Sequence, residues 1–269
     1  MGAGIAQVAI ESGIETILRD VEDRFVERGV NTIKGFIGKK VDKGKLTKEE
    51  HDKILDRLKG TTKPEEGAGA DMVIEAVFED VALKQSVFTE LDRIYPKETI
   101  LASNTSTLSL SLIASATKNP ERVIGTHFFS PVPAMKLVEV IKGDKTNDAV
   151  VKSTLEFCAQ INKTPILAKD VPGFIVNRFM CLLYNEAAGQ IYNGYATPKD
   201  IDLGMKLGAN HPMGPVEIMD MAGVDVVNNA LKALYEMTKE ERYKPCPLFD
   251  QMIKENRLGR KTGKGFYEY

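Results

Sequence analysis

Three histidines occur in the chain, His51, His127 and His211. His127 has the setting for proton-transfer chemistry. It ends an apolar run, residues 123–129, that reads as a strand, and open α/β sheets bind ligands beyond the carboxyl ends of their strands. Glu139 follows twelve residues later on the next apolar run, 137–141. A carboxylate beside an imidazole orients its tautomer and stabilises the imidazolium formed when the ring takes a proton. That pairing suits a general base in the oxidation of an alcohol. The competing reading is a core histidine with its hydrogen bonds satisfied, because spacing alone does not establish the contact. His51, on a charged helical stretch, reads as solvated, and His211, in a turn before a helix, as structural.

Other polar residues cluster around expected element ends. Ser103, Asn104, Thr105 and Ser106 follow a strand and can offer hydroxyls and amides to a ligand, although the same types build ordinary turns. Asn177, with Arg178, begins a helical stretch after residues 173–176; Asn within a helix is locally unfavourable, and a specific partner is one explanation. Lys34, Lys39, Lys40, Lys43 and Lys45 crowd one segment, either as a solvated face or as an anchor for a phosphorylated carrier. Gly2 opens a helix of small residues over 2–12, and Asp20 lies 18 positions on, after the apolar run 14–18. In a dinucleotide-binding unit the third glycine of G-x-G-x-x-G opens such a helix, whose N-terminus faces the pyrophosphate. An acidic residue about 20 positions later bonds the adenosine ribose. The spacing also fits an ordinary helix–strand unit. Asp20 favours NAD over NADP, since a carboxylate repels the added 2′-phosphate.

These residues need elements to hold them. Residues 22–59 carry a helical pattern, broken at 42–45 and restarted at Thr47, with Glu50 completing a capping box. This reads as a helical hairpin inserted into an α/β unit. Strand runs at 72–77, 99–103, 123–129, 137–141 and 164–168 alternate with helical stretches at 80–93 and 147–161. That order predicts a largely parallel, doubly wound sheet. Beyond Asp170-Val171-Pro172-Gly173 strand runs almost vanish, and 174–193, 197–207, 214–237 and 247–256 read as helices, with Thr197-Pro198 and Gly214-Pro215 marking starts. We expect an α/β domain over 1–170 and an all-α domain over 171–269.

Composition narrows the function. The 269 residues carry 36 Lys+Arg against 38 Asp+Glu, a net charge of -2. A general nucleic-acid binder needs a strong basic excess, so that class is excluded. No window approaches ~18 consecutive apolar residues, so no transmembrane helix is expected. Cys158, Cys181 and Cys246 are odd in number and widely spaced, with no zinc or disulfide pattern. A reduced, cytoplasmic setting and no metal site follow as expectations.

Four segments resemble the 3-hydroxyacyl-CoA dehydrogenases. They are residues 126–141 (THFFSPVPAMKLVEVI), 170–178 (DVPGFIVNR), 206–215 (KLGANHPMGP) and the tail 258–269 (LGRKTGKGFYEY). The similarity is greatest to the short, free-standing bacterial 3-hydroxybutyryl-CoA dehydrogenases of butyrate-type fermentation. The resemblance implies NAD-dependent oxidation of short-chain (S)-3-hydroxyacyl-CoA to 3-oxoacyl-CoA, or the reverse reduction of acetoacetyl-CoA. It implies His127 as general base, Glu139 as its partner carboxylate, and Ser106 and Asn177 as residues that position substrate. It places Asp20, Glu79, Lys84 and Asn104, beside Gly2, at the cofactor site, and Lys43 near the CoA phosphates. It also implies a homodimer formed through the helical domain.

The match has departures. Ser130 stands where Asn is common, which shortens the reach of that side chain, and Leu182 stands where Pro often does. The family's first strand and first two glycines would precede Gly2. We therefore expect a Rossmann-type sheet lacking its first strand, which is central in the sheet order, with apolar edges left exposed. The natural protein is expected to have residues upstream of Met1, internal initiation being the alternative. Two other functional readings stay open: a crystallin-like or truncated non-catalytic relative, and a dehydrogenase of a free hydroxyacid.

Overall fold

Short β-branched runs and amphipathic helices alternate through residues Met1–Val171, the first of two units in the computed structural model, which describes all 269 residues. The elements are α1 (Gly2–Glu11), β1 (Thr16–Arg19), α2 (Asp23–Asp42), α3 (Lys48–Leu55), β2 (Leu58–Thr61), β3 (Met72–Glu75) and α4 (Val81–Ile94). They continue with β4 (Ile100–Ser103), α5 (Leu110–Ala114), β5 (Val123–Phe128), β6 (Leu137–Lys142), α6 (Asp148–Gln160) and β7 (Thr164–Lys169).

The doubly wound sheet is present in two parts. Strands β1 and β2 pair in parallel, and β3-β4-β5-β6-β7 form a separate five-stranded sheet. Every pairing is parallel except that of β5 with β6. Only residues 129–136 link those two strands, too few for a crossover helix, so β6 must return antiparallel. Helix α1 is buried on two sides, which explains its small, apolar composition. Ile5, Val8 and Ala9 pack with Ala102, Ile124, Val138 and Val140, while Ala6 and Ile10 meet Ile33 and Ile37 of α2.

The hairpin forms as read, with both arms of the capping box made. Glu50 N donates to Thr47 Oγ1 at 3.2 Å and Thr47 N to Glu50 Oε2 at 2.8 Å. The helical pattern does not run to 59, however. Residues 58–61 leave it to pair with β1. Leu58-Lys59-Gly60-Thr61 has little strand character of its own, and the ladder with β1 decides its conformation. At the end of β7, Asp170 caps α5, accepting from Leu110 N at 2.9 Å, Ser111 N at 2.7 Å and Ser109 Oγ at 3.0 Å. A carboxylate on open helix N–H groups is favourable both as a hydrogen bond and against the helix dipole.

The second unit, Pro172–Tyr269, is built on α7 (Val176–Tyr192), α8 (Pro198–Gly208), α9 (Pro215–Ala222), α10 (Val224–Thr238) and α11 (Pro247–Lys254). The single helix expected over 214–237 is two helices, α9 and α10. Gly223 divides them at φ 106°, a conformation no helix residue adopts. Cys181, Ala188, Met219, Leu231, Leu234, Tyr243 and Phe249 form the core. Burial pushes the Cys158 thiol of the first unit up to about 12 and the Cys181 thiol to about 11. No helix is long and apolar enough to cross a membrane.

Two buried carboxylates tie the tail to this second core. Asp220 accepts from Phe266 N and Tyr267 N, both at 2.9 Å, and from Tyr269 Oη at 3.1 Å. Asp202 accepts from Val216 N at 2.8 Å, Glu217 N at 3.0 Å and Tyr267 Oη at 2.6 Å. Hydrogen bonds to charged groups are worth about 1.5–3 kcal/mol each and couple within one network, so Asp220→Ala should cost at least about 3 kcal/mol. Urea unfolding checks this, and a loss below about 1 kcal/mol contradicts the role given to the clasp.

Candidate active site

Pairing of β5 with β6 sets His127 directly opposite Glu139. Residues opposite each other in an antiparallel ladder project to the same face. His127 Nδ1 lies 2.7 Å from Glu139 Oε2. Glu139 has no exposed surface and His127 only 5%. A carboxylate in its ionised form only accepts, so this contact suits the ring tautomer that carries its proton on Nδ1. The Phe129 ring packs tilted against the imidazole, with centroids 4.5 Å apart. Asn104, beyond β4, accepts from Phe128 N at 2.9 Å and so locks the end of β5 to the end of β4.

A second polar network lies at the carboxyl ends of β3 and β4. Glu75 ends β3 and is 4% exposed. Its Oε1 accepts from Lys84 Nζ and from Val77 N, both at 2.7 Å, and its Oε2 from Ser103 Oγ at 2.7 Å. Lys84 projects from the first turn of α4 and is fully buried. Its ammonium also donates to Val77 O at 3.4 Å and lies 3.5 Å from Glu79 Oε2. Glu79 Oε1 accepts from Thr105 Oγ1 at 2.7 Å, Ser106 N at 2.7 Å and Thr107 N at 2.9 Å. A buried ammonium requires acceptors and opposite charge around it. Here two carboxylates provide both, and through them one lysine holds the turns at 76–80 and 103–107.

Ser103, one of the polar residues noted after β4, donates its hydroxyl to Glu75, which the sequence does not mark for this role. The legible signal was an acid closing an otherwise apolar strand, Met72-Val73-Ile74-Glu75. The parallel register, Glu75 beside Ser103, appears only on folding. Lys84 and Glu79, which the motifs place at a cofactor site, are thus brought together, with the lysine lying behind the turn rather than on its surface.

The first unit also fits a dinucleotide at its helix start. A Cβ added at Gly2 would stand 3.9 Å from Ala76 Cβ and 4.0 Å from Leu18 Cδ1. The first turn of α1 therefore sits between the ends of β1 and β3, and no side chain caps it. Open N–H groups at such a start suit a phosphate. Asp20, just past β1, is exposed, with Oδ1 accepting from Val21 N at 2.7 Å.

Two further expected residues, Lys43 and Asn177, stand at helix ends. Lys43 is exposed at the end of α2, whereas its neighbour Lys40 is paired with Glu11 at 2.6 Å. Asn177 belongs to the second unit. It is the second residue of α7, at the start of the helical region as expected. Gly173 and Phe174, with φ of 74° and 48°, turn the chain into that helix. The adjacent Arg178 anchors the turn through Glu240 Oε1 at 2.8 Å and Pro172 O at 3.3 Å.

A doubly wound sheet with a helix start open to phosphate defines the class, a dinucleotide-binding fold. Residues 1–171 match the family model described as 3-hydroxyacyl-CoA dehydrogenase, NAD binding domain, and residues 173–269 match that of its C-terminal domain. The chain is 42% identical over 269 residues to the probable 3-hydroxybutyryl-CoA dehydrogenase of Bacillus subtilis (strain 168), covering all of this chain and 94% of that one. It is 40% identical over 277 residues to the mitochondrial hydroxyacyl-coenzyme A dehydrogenase of Rattus norvegicus, covering 88% of that protein. The crystal structure of (S)-3-hydroxybutyryl-CoA dehydrogenase from Ralstonia eutropha superposes with a TM-score of 0.97 at 40% identity, over all of this chain and 95% of that one. The chain belongs to the 3-hydroxyacyl-CoA dehydrogenase family, and its first unit is an NAD-binding domain.

The Glu79 clamp has a pH signature. Burial raises its carboxyl, but the bonds from Thr105, Thr107 and Ser106 and the charge of Lys84 outweigh burial and hold it below the ordinary 4.5. Its stabilising contribution is therefore complete above pH 4.5 and is lost as pH falls through the lower folded value. Unfolding free energies measured against pH should show the unaltered chain losing stability faster than Glu79→Gln on acidification below that point. Parallel curves contradict the clamp.

Proposed function

We propose that this chain oxidises short-chain (S)-3-hydroxyacyl-CoA to 3-oxoacyl-CoA and runs the reverse reduction of acetoacetyl-CoA, with His127 as the general base. The carrying observation is the buried 2.7 Å contact between His127 and Glu139. NAD, when bound, accepts the hydride that leaves C3. His127 Nε2 takes the proton of the 3-hydroxyl as its charge develops. Glu139 fixes the tautomer needed for this and stabilises the imidazolium that results. In the reductive direction the same imidazolium returns its proton to the alkoxide oxygen.

The supporting roles rest on the motif similarities. Ser106, on the turn that Glu79 holds, and Asn177 position the substrate. Gly2, Asp20, Glu79 and Asn104 serve the cofactor, with Lys84 acting through the carboxylates it bonds. Lys43 anchors the CoA phosphates. The acyl-CoA assignment and the short chain are supported by relatives that carry the name 3-hydroxybutyryl-CoA dehydrogenase. A cytoplasmic setting is supported by three free cysteines. A homodimer through the helical unit is supported by exposed apolar side chains there. Leu203 and Leu207 stand one turn apart on α8, and Phe179 is exposed on α7. Clustered exposed apolar residues mark interaction surfaces.

His127→Gln should lower kcat for NADH oxidation by acetoacetyl-CoA by about 10²–10⁴-fold with little change in KM, the range general-base loss produces. Glu139→Gln should fall in the same direction. Near-full activity of His127→Gln contradicts the assignment, and turnover insensitive to free CoA favours a free hydroxyacid as substrate. Leu207→Glu should convert the dimer to a slower-sedimenting monomer. Unchanged sedimentation removes α8 from the interface.

A further inference from the structure

Phe78 is 87% exposed, more than any other large apolar side chain in the molecule. An aromatic ring left in water at a loop tip is usually carried by a loose segment. Here the turn that carries it is tightly held. Val77 N donates to Glu75 Oε1 at 2.7 Å, and Val77 O accepts from the buried Lys84 ammonium. Asp80 N closes the turn onto Phe78 O at 2.9 Å, and Asp80 Oδ1 caps α4 by accepting from Leu83 N at 2.8 Å. Both residues flanking Phe78 are thus tied into the Glu75–Lys84–Glu79 network.

The position of the turn points to its use. It lies beyond the carboxyl end of β3, where doubly wound sheets receive nucleotides. Ala76, two residues before Phe78, borders Gly2 at the start of α1. On the other side the turn is joined, through Glu79, to residues 105–107. A ring presented on rigid backbone loses little freedom on stacking, and the π-face of a base or of a nicotinamide suits it. Resting on the dehydrogenase reading, we infer that Phe78 is a cofactor-contacting residue whose ring covers an aromatic ring of the bound dinucleotide.

The chain contains no tryptophan, so Phe78→Trp introduces a single indole reporter. NADH is titrated into the full chain and into Phe78→Ala and Phe78→Trp, with binding read from NADH fluorescence. The indole emission of Phe78→Trp is followed on adding NAD⁺. Phe78→Ala should raise the NADH Kd by about five- to fiftyfold, the range seen for loss of a base-stacking aromatic. Phe78→Trp should bind within about twofold of the unaltered chain, as a larger stacking ring does, with its emission quenched at saturating NAD⁺. AMP competition then locates the contact: weakened AMP binding by Phe78→Ala assigns the ring to the adenine, and unchanged AMP binding assigns it to the nicotinamide. Equal NADH affinity of Phe78→Ala and the unaltered chain overturns the inference, as does indole emission indifferent to NAD⁺. If the unaltered chain itself fails to bind NADH, the dehydrogenase reading falls and takes this inference with it. That outcome is visible in the unaltered chain alone.

Discussion

One rung of the β5–β6 ladder, His127 opposite Glu139, is the constraint around which the first unit is arranged. A slip of a single residue would turn Glu139 to the other face of the sheet and leave the imidazole beside Val138 or Val140. Sequence features on both strands guard against that slip. Gly125 faces Ile141, and a Cβ at 125 would fall 2.8 Å from Ile141 Cβ, so only glycine admits this register without displacement. The connecting loop is pinned as well. Lys163 donates to Val132 O at 2.5 Å and Met135 O at 2.7 Å, at the cost of burial that pulls its ammonium pKa down against the opposing charge of Glu11. Asn104 fixes the end of β5 from the other side.

The Glu75–Lys84–Glu79 network does for the neighbouring turns what the ladder does for the dyad. Each carboxylate bonds backbone as well as side chains, so the charges hold the loops in place instead of only neutralising one another. Breaking such a network from one side leaves a buried charge without its partner, which is far costlier than losing a surface ion pair. The turns at 76–80 and 103–107 are therefore loops whose rigidity comes from buried groups one step behind them. Exposure of Phe78 on such a frame is a feature of the same design.

Much of this was readable from the residues. His127 and Glu139 each lie in an apolar run, which marks the two strands that carry them, though not that these pair antiparallel. Thr47 and Glu50 mark a helix start because the capping box is a local interaction needing no tertiary partner. What escaped reading depended on contacts distant in sequence. Residues 58–61 are a strand only because β1 lies beside them. Gly223 looks compatible with a long helix until its φ is known. Glu75 is an ordinary acid at a strand end until Ser103 and Lys84 converge on it.

Everything in this site turns on whether the buried carboxylate fixes the protonation pattern of one imidazole. Nitrogen-15 NMR of the ring nitrogens tests it most directly. With only three histidines in the chain, the His127 signals are assigned by their loss in His127→Gln. The expected spectrum at alkaline pH shows a protonated Nδ1, hydrogen-bonded to Glu139, and an unprotonated Nε2. A protonated Nε2 with a bare Nδ1 would contradict it, because a ring in that state could neither donate to Glu139 nor accept the substrate proton at Nε2.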